Sequence, residues 1–518
     1  MGSGIPYPFA KYSFIILPGF QYGGMEHTGA TLYNDTRMFL SEHPTLDEEL
    51  ARAKLIAHET AHMWFGDYVT MDWFNDVWTK EVFANYFAAC ITEPLFPSVN
   101  HSLNWIKTYT AASLAEDRTS GSNSIRQPLD NLRNAGLIYG NIIYNKTPVM
   151  MQKLVEIMGE KAYQEGIQEY LKTYAYSNAI WDDLITILDA KTEEDLASFS
   201  DVWVNQKGMP HISFTNRCGQ LEIRQRDPLN RGLIWPQRFQ ITFIGDESTT
   251  VEVDLSQETY ALTVPLDTKA ILPNTDERGY GLFIPDEQSR TWLLAHWQEI
   301  TDDTARQSLL MLLYENYQHR IITDKEWMNA LLNGLITEKN ALIASTLCSY
   351  LGGPMRKLKD EKQEETIWSW TEKHPIASCR LQLMRSLISN ASAPQSIEKL
   401  YRIWEEQSHP MLNERDYMTM AYELALHYPD LNHPLRQPYS VKYIRPGLEV
   451  LQEVQRTGNI FFPKNWVSAL LGNYKSKEAY QELQAFFEAH PDYPSLLKNK
   501  ILQAAWPLYR EAANSLDM

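Results

Sequence analysis

The spacing of hydrophobic residues changes twice along the chain. From Ile5 to about Pro210, after a short strand-like stretch (SFIIL), apolar residues recur at helical intervals. From 211 to 285 apolar and polar residues alternate, as in QLEIRQ and RFQITFI, which predicts a small antiparallel β-sandwich or barrel. Amphipathic helical segments return from 286 to 518. The pattern therefore predicts a multidomain, mostly α-helical protein with domains at 1–210, 211–285 and 286–518.

The helical segments after 286 are separated by short polar or Gly/Pro turns. Repeated helical hairpins of this kind favour a solenoid-like array, although the segment has no strict sequence repeat.

Composition narrows the range of partners. The chain has 47 Lys and Arg against 65 Asp and Glu, a formal net charge of −18, which would repel phosphate backbones. Nucleic acid is therefore an unexpected partner.

No apolar run is long enough to span a bilayer, so the sequence is typical of a soluble protein. The four cysteines form no Cys-x-x-Cys pair, and the N-terminus has no signal-peptide pattern, so the compartment, cytoplasmic or periplasmic, stays open.

The segment HPTLDEELARAKLIAHETAHMWFG predicts a helix that carries a metal-binding motif. Thr45 is the expected N-cap, and Gly66 is a suitable stop. His58 and His62 are four residues apart and so lie on one helix face, where their rings can hold one zinc ion. Glu59 lies beside them, placed to flank the metal without binding it and to act as the general base.

A catalytic zinc site needs a third protein ligand and leaves the fourth position for water. Glu81 is the candidate, eighteen residues after the H-E-x-x-H motif, on a second predicted helix (NDVWTKEVFANYFAAC) capped by Asn75 or Asp76. The intervening GDYVTMDWF can turn that helix back against the first. The sequence therefore predicts a zinc site formed by His58, His62 and Glu81.

Two motifs resemble one known family. HETAHMWFGDYVTMDWFNDVWTKEVFANY is similar to the zinc-binding region of the aminopeptidase N family, gluzincin metallopeptidases that include the leukotriene hydrolase-aminopeptidases. The upstream PYPFAKYSFIILPGFQYGGMEHTG is similar to the lead-in to that family's Gly-x-Met-Glu-Asn motif. The resemblance implies one Zn²⁺, a thermolysin-like α+β catalytic domain, a small β-sandwich, a HEAT- or armadillo-like helical domain, and release of N-terminal amino acids from peptides.

The resemblance also implies roles for individual residues. Glu26 would bind the free α-ammonium of the peptide, which makes physical sense because a desolvated carboxylate at a fixed distance from zinc rejects acylated or internal peptide bonds. Tyr144 would stabilise the oxyanion, and Thr147-Pro148 would cap the helix that follows it. The remaining implied substrate-binding positions are Tyr22, Gly23, Gly24, Met25 and Tyr139.

The chain departs from the family at three positions near this site. His27 replaces the usual Asn of the motif, and Lys80 and Val82 flank Glu81 where the family commonly has Asn and Gly. These changes alter the surroundings of the ligand without removing it. The family normally carries a large N-terminal β-domain before this region, so a missing N-terminal β-domain is expected in the full-length protein.

Two other functions remain open at this point. A leukotriene hydrolase-like epoxide hydrolase is suggested by the Tyr-Gly-Gly-Met-Glu run at 22–26 and by the pair Tyr139 and Tyr144, although that branch is expected to lack the β-rich segment. A non-catalytic binding scaffold would use the helical array as its recognition surface. The intact His58, Glu59, His62 and Glu81 favour an enzyme.

Overall fold

The computed structural model describes residues 3–40, 44, 46–119, 121–137, 139–425 and 427, together with 485, 487–489 and 491. Its helices are α1 (Asp35–Met38), α2 (Leu46–Ala61), α3 (Trp78–Thr92), α4 (His101–Trp105), α5 (Ala111–Asp117), α6 (Thr147–Met158), α7 (Glu160–Thr173), α8 (Trp181–Asp189), α9 (Leu196–Trp203), α10 (Glu287–His296), α11 (Asp303–Gln318), α12 (Asp324–Thr337), α13 (Ala341–Tyr350), α14 (Gly352–Leu358), α15 (Glu361–Lys373), α16 (Ala377–Asn390), α17 (Pro394–Glu406) and α18 (Glu414–Ala425). Its strands are β1 (Phe14–Leu17), β2 (Gly24–Met25), β3 (Thr31–Asn34), β4 (Val69–Met71), β5 (Ser177–Ala179), β6 (His211–Arg217), β7 (Gln220–Arg226), β8 (Arg238–Ile244), β9 (Thr249–Asp254), β10 (Thr259–Thr263), β11 (Ala270–Leu272) and β12 (Leu282–Ile284).

The predicted mostly helical, multidomain character is confirmed. The chain divides into two compact units, 1–347 and 348–518. The predicted three-part division places its boundaries elsewhere and stays a prediction. Among the described residues, no helix has the length and apolar character needed to cross a membrane.

A small sheet near the N-terminus carries the upstream motif. The predicted strand at SFIIL is β1, which pairs in parallel with β3, and β3 pairs antiparallel with β2. The strand order is β1-β3-β2, so β2 lies at an edge of this sheet. The two residues of β2, Gly24 and Met25, therefore offer backbone groups that no described strand uses.

The core of the first unit surrounds α3. Trp78, Val82 and Phe83 are all buried, because α3 is apolar on most of its circumference and packs against α2 and α6. The ring of Phe65, just after α2, stacks on Phe83 with centroids 4.5 Å apart. This packing fixes α3 against the end of α2, where the predicted metal ligands lie.

The alternating segment forms two sheets with strand orders β10-β7-β6-β12 and β11-β8-β9. In β7 every second residue is buried, as the sequence pattern predicted. One pairing differs from the predicted antiparallel arrangement, because β12 runs parallel to β6. The chain reaches β12 from β11, which belongs to the other sheet, and such a crossover permits a parallel partner where a hairpin does not.

The second unit brings two cysteines together that are far apart in sequence. The Sγ atoms of Cys348 and Cys379 lie 3.1 Å apart, and both side chains are buried. Their sulfur atoms are within hydrogen-bond distance and are not joined by a disulfide.

Two histidines in the first unit predict a pH-dependent stability. The rings of His211 and His319 are 5.3 Å apart. Burial, His319 and Arg226 lower the pKa of His211 to about 4, and burial and Arg118 lower that of His319. Histidine in the unfolded chain titrates near 6.5, so the unfolded state takes up protons more readily than the folded state. The contribution of these two residues to the free energy of unfolding is therefore fully present above that pH and is lost as the pH falls toward 4.

We expect His211→Gln to reduce the difference between urea midpoints measured at pH 7 and pH 5. The glutamine cannot take up the proton that destabilises the native histidine. An unchanged difference between the two midpoints would contradict this prediction.

Candidate metal centre

Helix α2 presents the two histidines of the motif. The predicted N-cap Thr45 lies outside the described residues, and α2 begins at Leu46. It ends at Ala61, before the predicted stop at Gly66, but the backbone N–H of His62 still donates to the carbonyl of His58 at 3.2 Å. The two histidines therefore remain one helical turn apart on one face.

Helix α3 presents the predicted third ligand, but its start differs from the prediction. A 3₁₀ turn, Phe74–Asp76, leads into α3, and Val77 takes the cap position without a side-chain bond. Asp76 is fully buried and pairs with Arg126, whose Nε lies 2.8 Å from Oδ1. The predicted cap at Asn75 or Asp76 is therefore wrong, because the carboxylate of Asp76 serves a buried ion pair instead.

The two helices bring His58, His62 and Glu81 together. The Nε2 atoms of the histidines are 3.0 Å apart, and they lie 3.5 Å and 3.6 Å from Oε2 of Glu81. Glu81 is 3 % exposed and burial raises its pKa, but the charge of His62, the hydrogen bonds of both histidines and the charge of Lys80 outweigh burial and hold the pKa well below the usual range. It is an ionised carboxylate facing two imidazoles.

The opposite edges of both rings are held by acceptors. Nδ1 of His58 lies 2.9 Å from Oδ1 of Asn85, and Nδ1 of His62 lies 3.0 Å from the carbonyl oxygen of Phe65. Asn85 also donates through Nδ2 to the carbonyl of Tyr144 at 2.9 Å, which fixes its amide orientation. Both Nδ1 atoms therefore donate, so in the neutral form of each ring the Nε2 lone pair faces Glu81.

This donor set fits a zinc ion. Two Nε2 lone pairs and a carboxylate oxygen converge at 3.0–3.6 Å, an arrangement of three acceptors that a cation satisfies. Tetrahedral ligands bound at about 2.0–2.1 Å are separated by roughly 3.3 Å, close to these distances. Imidazole and carboxylate are the ligands that catalytic zinc commonly takes.

Glu59 lies beside the three ligands as a buried carboxylate. It is 3 % exposed, and its Oε2 has no hydrogen-bond partner among the described residues. Burial, with Glu26 and Glu81 nearby, raises its pKa to about 8, although His58 and Lys80 act in the opposite direction. A side chain at Gly24 would collide with it, because an added Cβ would lie 2.2 Å from Oε1 of Glu59. The upstream motif is thus packed directly on the predicted base.

Glu26 is also brought to this cluster. Donor atoms of Glu26, Glu59 and His62 all lie within 4.8 Å of one another. The ammonium of Lys80 forms a short ion pair with Oε1 of Glu26 and lies 3.3 Å from Oε1 of Glu81. Burial raises the pKa of Glu26, but His62 and Lys80 outweigh this effect and lower it to about 2.

Tyr144 lies in a π-helical turn, Ile142–Lys146, that continues directly into α6. Such turns are frequent at functional sites. Burial and the carboxylate of Glu81 raise the pKa of Tyr144, so its hydroxyl stays protonated and can donate. Pro148 lies in the first turn of α6 as predicted, but Thr147 is no N-cap, since the preceding residues are already helical.

The other two predicted tyrosines lie nearby. The ring of Tyr139 is stacked on that of Tyr144, with centroids 6.1 Å apart. Tyr22 is 36 % exposed and lies close enough to Tyr139 to contribute to raising the pKa of its hydroxyl, although burial is the main cause. His27 is exposed, in the turn after β2.

Sequence reasoning missed three features of this site. Asn85 orients His58, and its only sequence signal is its position one turn after Glu81 on the same helix.

The other two features are contacts of glycines with side chains from distant segments, and the first is the contact between Gly24 and Glu59. Gly66, at φ 127°, lies against the side chain of Lys80, where an added Cβ would be 3.2 Å from Cδ.

An H-E-x-x-H pair on one helix with a glutamate from the next defines the donor set of a zinc metallopeptidase. Residues 3–203 match the profile of the peptidase family M1 domain. The chain therefore carries a peptidase family M1 domain over these residues, and the predicted resemblance to the aminopeptidase N family is confirmed.

Curated relatives that the chain matches are named aminopeptidases. The chain is 28 % identical to aminopeptidase N of Streptomyces lividans over 66 % of its own length and 42 % of the relative's. It is 31 % identical to aminopeptidase M1 of Arabidopsis thaliana over 44 % of the chain and 26 % of that protein. It is 29 % identical to puromycin-sensitive aminopeptidase of Caenorhabditis elegans over 51 % of the chain and 27 % of that protein. The matched region thus spans less than half the length of each relative.

Proposed function

We propose that this protein is a zinc-dependent aminopeptidase that removes single residues from the free N-terminus of peptides. The observation that carries the proposal is the proximity of Glu26 to His62 of the metal-ligand cluster, with Glu59 close to His62 and to Gly24 of the motif. A carboxylate at that distance can bind an α-ammonium and measure one residue from the scissile bond. The names of the relatives, all aminopeptidases, support the same activity.

One zinc ion, held by His58, His62 and Glu81, would supply Lewis-acid polarisation of water and of the scissile carbonyl. Glu59 takes a proton from the attacking water while the water oxygen bonds to the carbonyl carbon. Glu59 then gives that proton to the leaving nitrogen as the C–N bond breaks. The hydroxyl of Tyr144 donates a hydrogen bond to the developing oxyanion. Glu26 accepts hydrogen bonds from the substrate ammonium, and the free edge of β2 offers backbone groups to an extended peptide.

The finer architecture belongs to the same proposal. We assign 1–210 to a thermolysin-like catalytic domain, 211–285 to a β-sandwich and 286–518 to a HEAT- or armadillo-like helical domain. The two sheets between β6 and β12 and the successive helices after α10 support this division.

Hydrolysis of leucine p-nitroanilide and its N-acetyl derivative by zinc-loaded protein tests the function. We expect the free amine to be cleaved at least about 10²-fold faster, since acetylation removes the charge that Glu26 recognises. Equal rates would remove Glu26 as the selector of a free N-terminus. Zinc binding without hydrolysis of either compound would favour the scaffold, and hydrolysis of an epoxide alone would favour the leukotriene hydrolase-like activity.

Gly24→Ala should lower kcat/KM by about 10²-fold, because the new methyl group would displace the Glu59 carboxylate. Gly23→Ala is the matched comparison, since its methyl group would meet only the side chain of Leu55, at 3.4 Å. We expect a clearly smaller loss for that variant. Steady-state kinetics with zinc content and melting temperature measure both. An equal loss in the two variants would contradict the role given to the contact at Gly24.

A further inference from the structure

The ammonium group of Lys80 lies where an aminopeptidase substrate would bring its own. It forms a short ion pair with Oε1 of Glu26 and lies 3.3 Å from Oε1 of Glu81. The side chains of Lys80 and Glu26 are only 15 % and 14 % exposed, so water screens the pair weakly. The carboxylate assigned to substrate recognition therefore already has a cationic partner inside the protein.

The position of Lys80 is fixed by the surrounding structure. Lys80 precedes Glu81 on α3, whose neighbouring residues are packed in the core. Its aliphatic stem passes over Gly66, which has φ 127° and where an added Cβ would lie 3.2 Å from Cδ and 3.4 Å from Nδ1 of His62. The absence of a side chain at Gly66 thus leaves room for the stem of Lys80.

Two cations that share one partly buried carboxylate repel each other. A substrate ammonium bound to Glu26 would lie roughly 4–5 Å from the ammonium of Lys80, if each donates a hydrogen bond of ordinary length. Binding therefore requires Lys80 to turn toward Glu81 or to share Glu26 against this repulsion. Either step weakens the binding of an amine relative to a site with a neutral residue at position 80.

We infer that Lys80 is an internal competitor of the substrate ammonium and a determinant of amine affinity at this site. The inference rests on the proposed function, in which Glu26 recognises the free N-terminus. Its ligand class is small primary ammonium compounds. If Lys80 competes with the ligand, a site with a neutral residue at position 80 should bind these compounds more tightly. If Lys80 only positions Glu26, replacing it should weaken their binding.

Calorimetric titration of the zinc-loaded protein with leucinol and with 4-methylpentan-1-ol tests this inference. The two probes differ only in the amino group, and neither contains a bond that the enzyme cleaves. Lys80→Met removes the charge and keeps an unbranched stem, Lys80→Asn introduces a shorter neutral polar side chain, and Lys80→Arg keeps a cation. Lys161→Met, at an exposed lysine of α7, is the matched control.

We expect Lys80→Met and Lys80→Asn to bind leucinol at least about 10-fold more tightly than the native protein, with unchanged affinity for 4-methylpentan-1-ol. Lys80→Arg and Lys161→Met should resemble the native protein. Zinc content measured on the same samples must be equal across the series. Weaker or equal leucinol binding by both neutral variants, at equal zinc content, would overturn the inference and leave Lys80 as an anchor for Glu26.

A different result of the same titrations would contradict the proposed function itself. If the native protein and all Lys80 variants bind leucinol no better than 4-methylpentan-1-ol, Glu26 does not recognise the ammonium, and both the selector role and the inference fall. If the native protein prefers leucinol and the neutral variants do not improve on it, only the inference falls.

Discussion

Replacing Glu59 with glutamine should lower kcat by about 10²- to 10⁴-fold, the range that a general base contributes. Glutamine keeps the size of the side chain against Gly24 but cannot take a proton from water. Because Glu59 is not among the three converging ligands, zinc should remain bound. Steady-state kinetics and metal analysis of the same preparation measure both effects.

Glu365→Gln, at an exposed glutamate of α15, is the control for the chemical change itself. It should retain native kcat and zinc content. Loss of zinc from Glu59→Gln would mean that Glu59 helps to hold the metal. Retention of both zinc and most of the activity would remove Glu59 from the role of base.

Tyr144→Phe should lower kcat by about 10²- to 10³-fold, the loss expected for one oxyanion donor. Its effect should fall on kcat more than on KM, because the hydrogen bond is made chiefly in the transition state. Zinc content should not change, since the side chain of Tyr144 is not a ligand. Its backbone carbonyl still accepts from Asn85 in the variant.

Tyr139→Phe is the matched variant, because this ring is stacked on Tyr144 and lies near the same carboxylates. A large loss of kcat in Tyr144→Phe with a small one in Tyr139→Phe supports the assignment. The reverse order would transfer the oxyanion role to Tyr139. Native kcat in both variants would remove the pair from the mechanism.

The metal ligands could be predicted because they depend on local spacing. His58 and His62 are one turn apart on any helix, and the interval to Glu81 is a motif in itself. The alternation in β7 was equally predictable, since one face of that strand is buried. These features need no knowledge of which distant segments meet.

The features that sequence reasoning missed depend on tertiary contacts. Gly24 meets Glu59 only because the sheet carrying β2 packs on α2, and no spacing rule reports that contact. Lys80 was visible as an unusual neighbour of Glu81, but its partner Glu26 is distant in sequence. Asp76 looked like a helix cap because aspartate is favoured there, whereas its buried pair with Arg126 decides its position.

Zinc binding by the metal-free protein tests the central claim most directly. Calorimetric titration should give one zinc ion per chain, and His62→Gln and Glu81→Gln should each weaken its binding by orders of magnitude, whereas His296→Gln, on α10, should not. This result is predicted if His58, His62 and Glu81 hold the metal. Native zinc affinity in both ligand variants, or no zinc binding by the native protein, would contradict it.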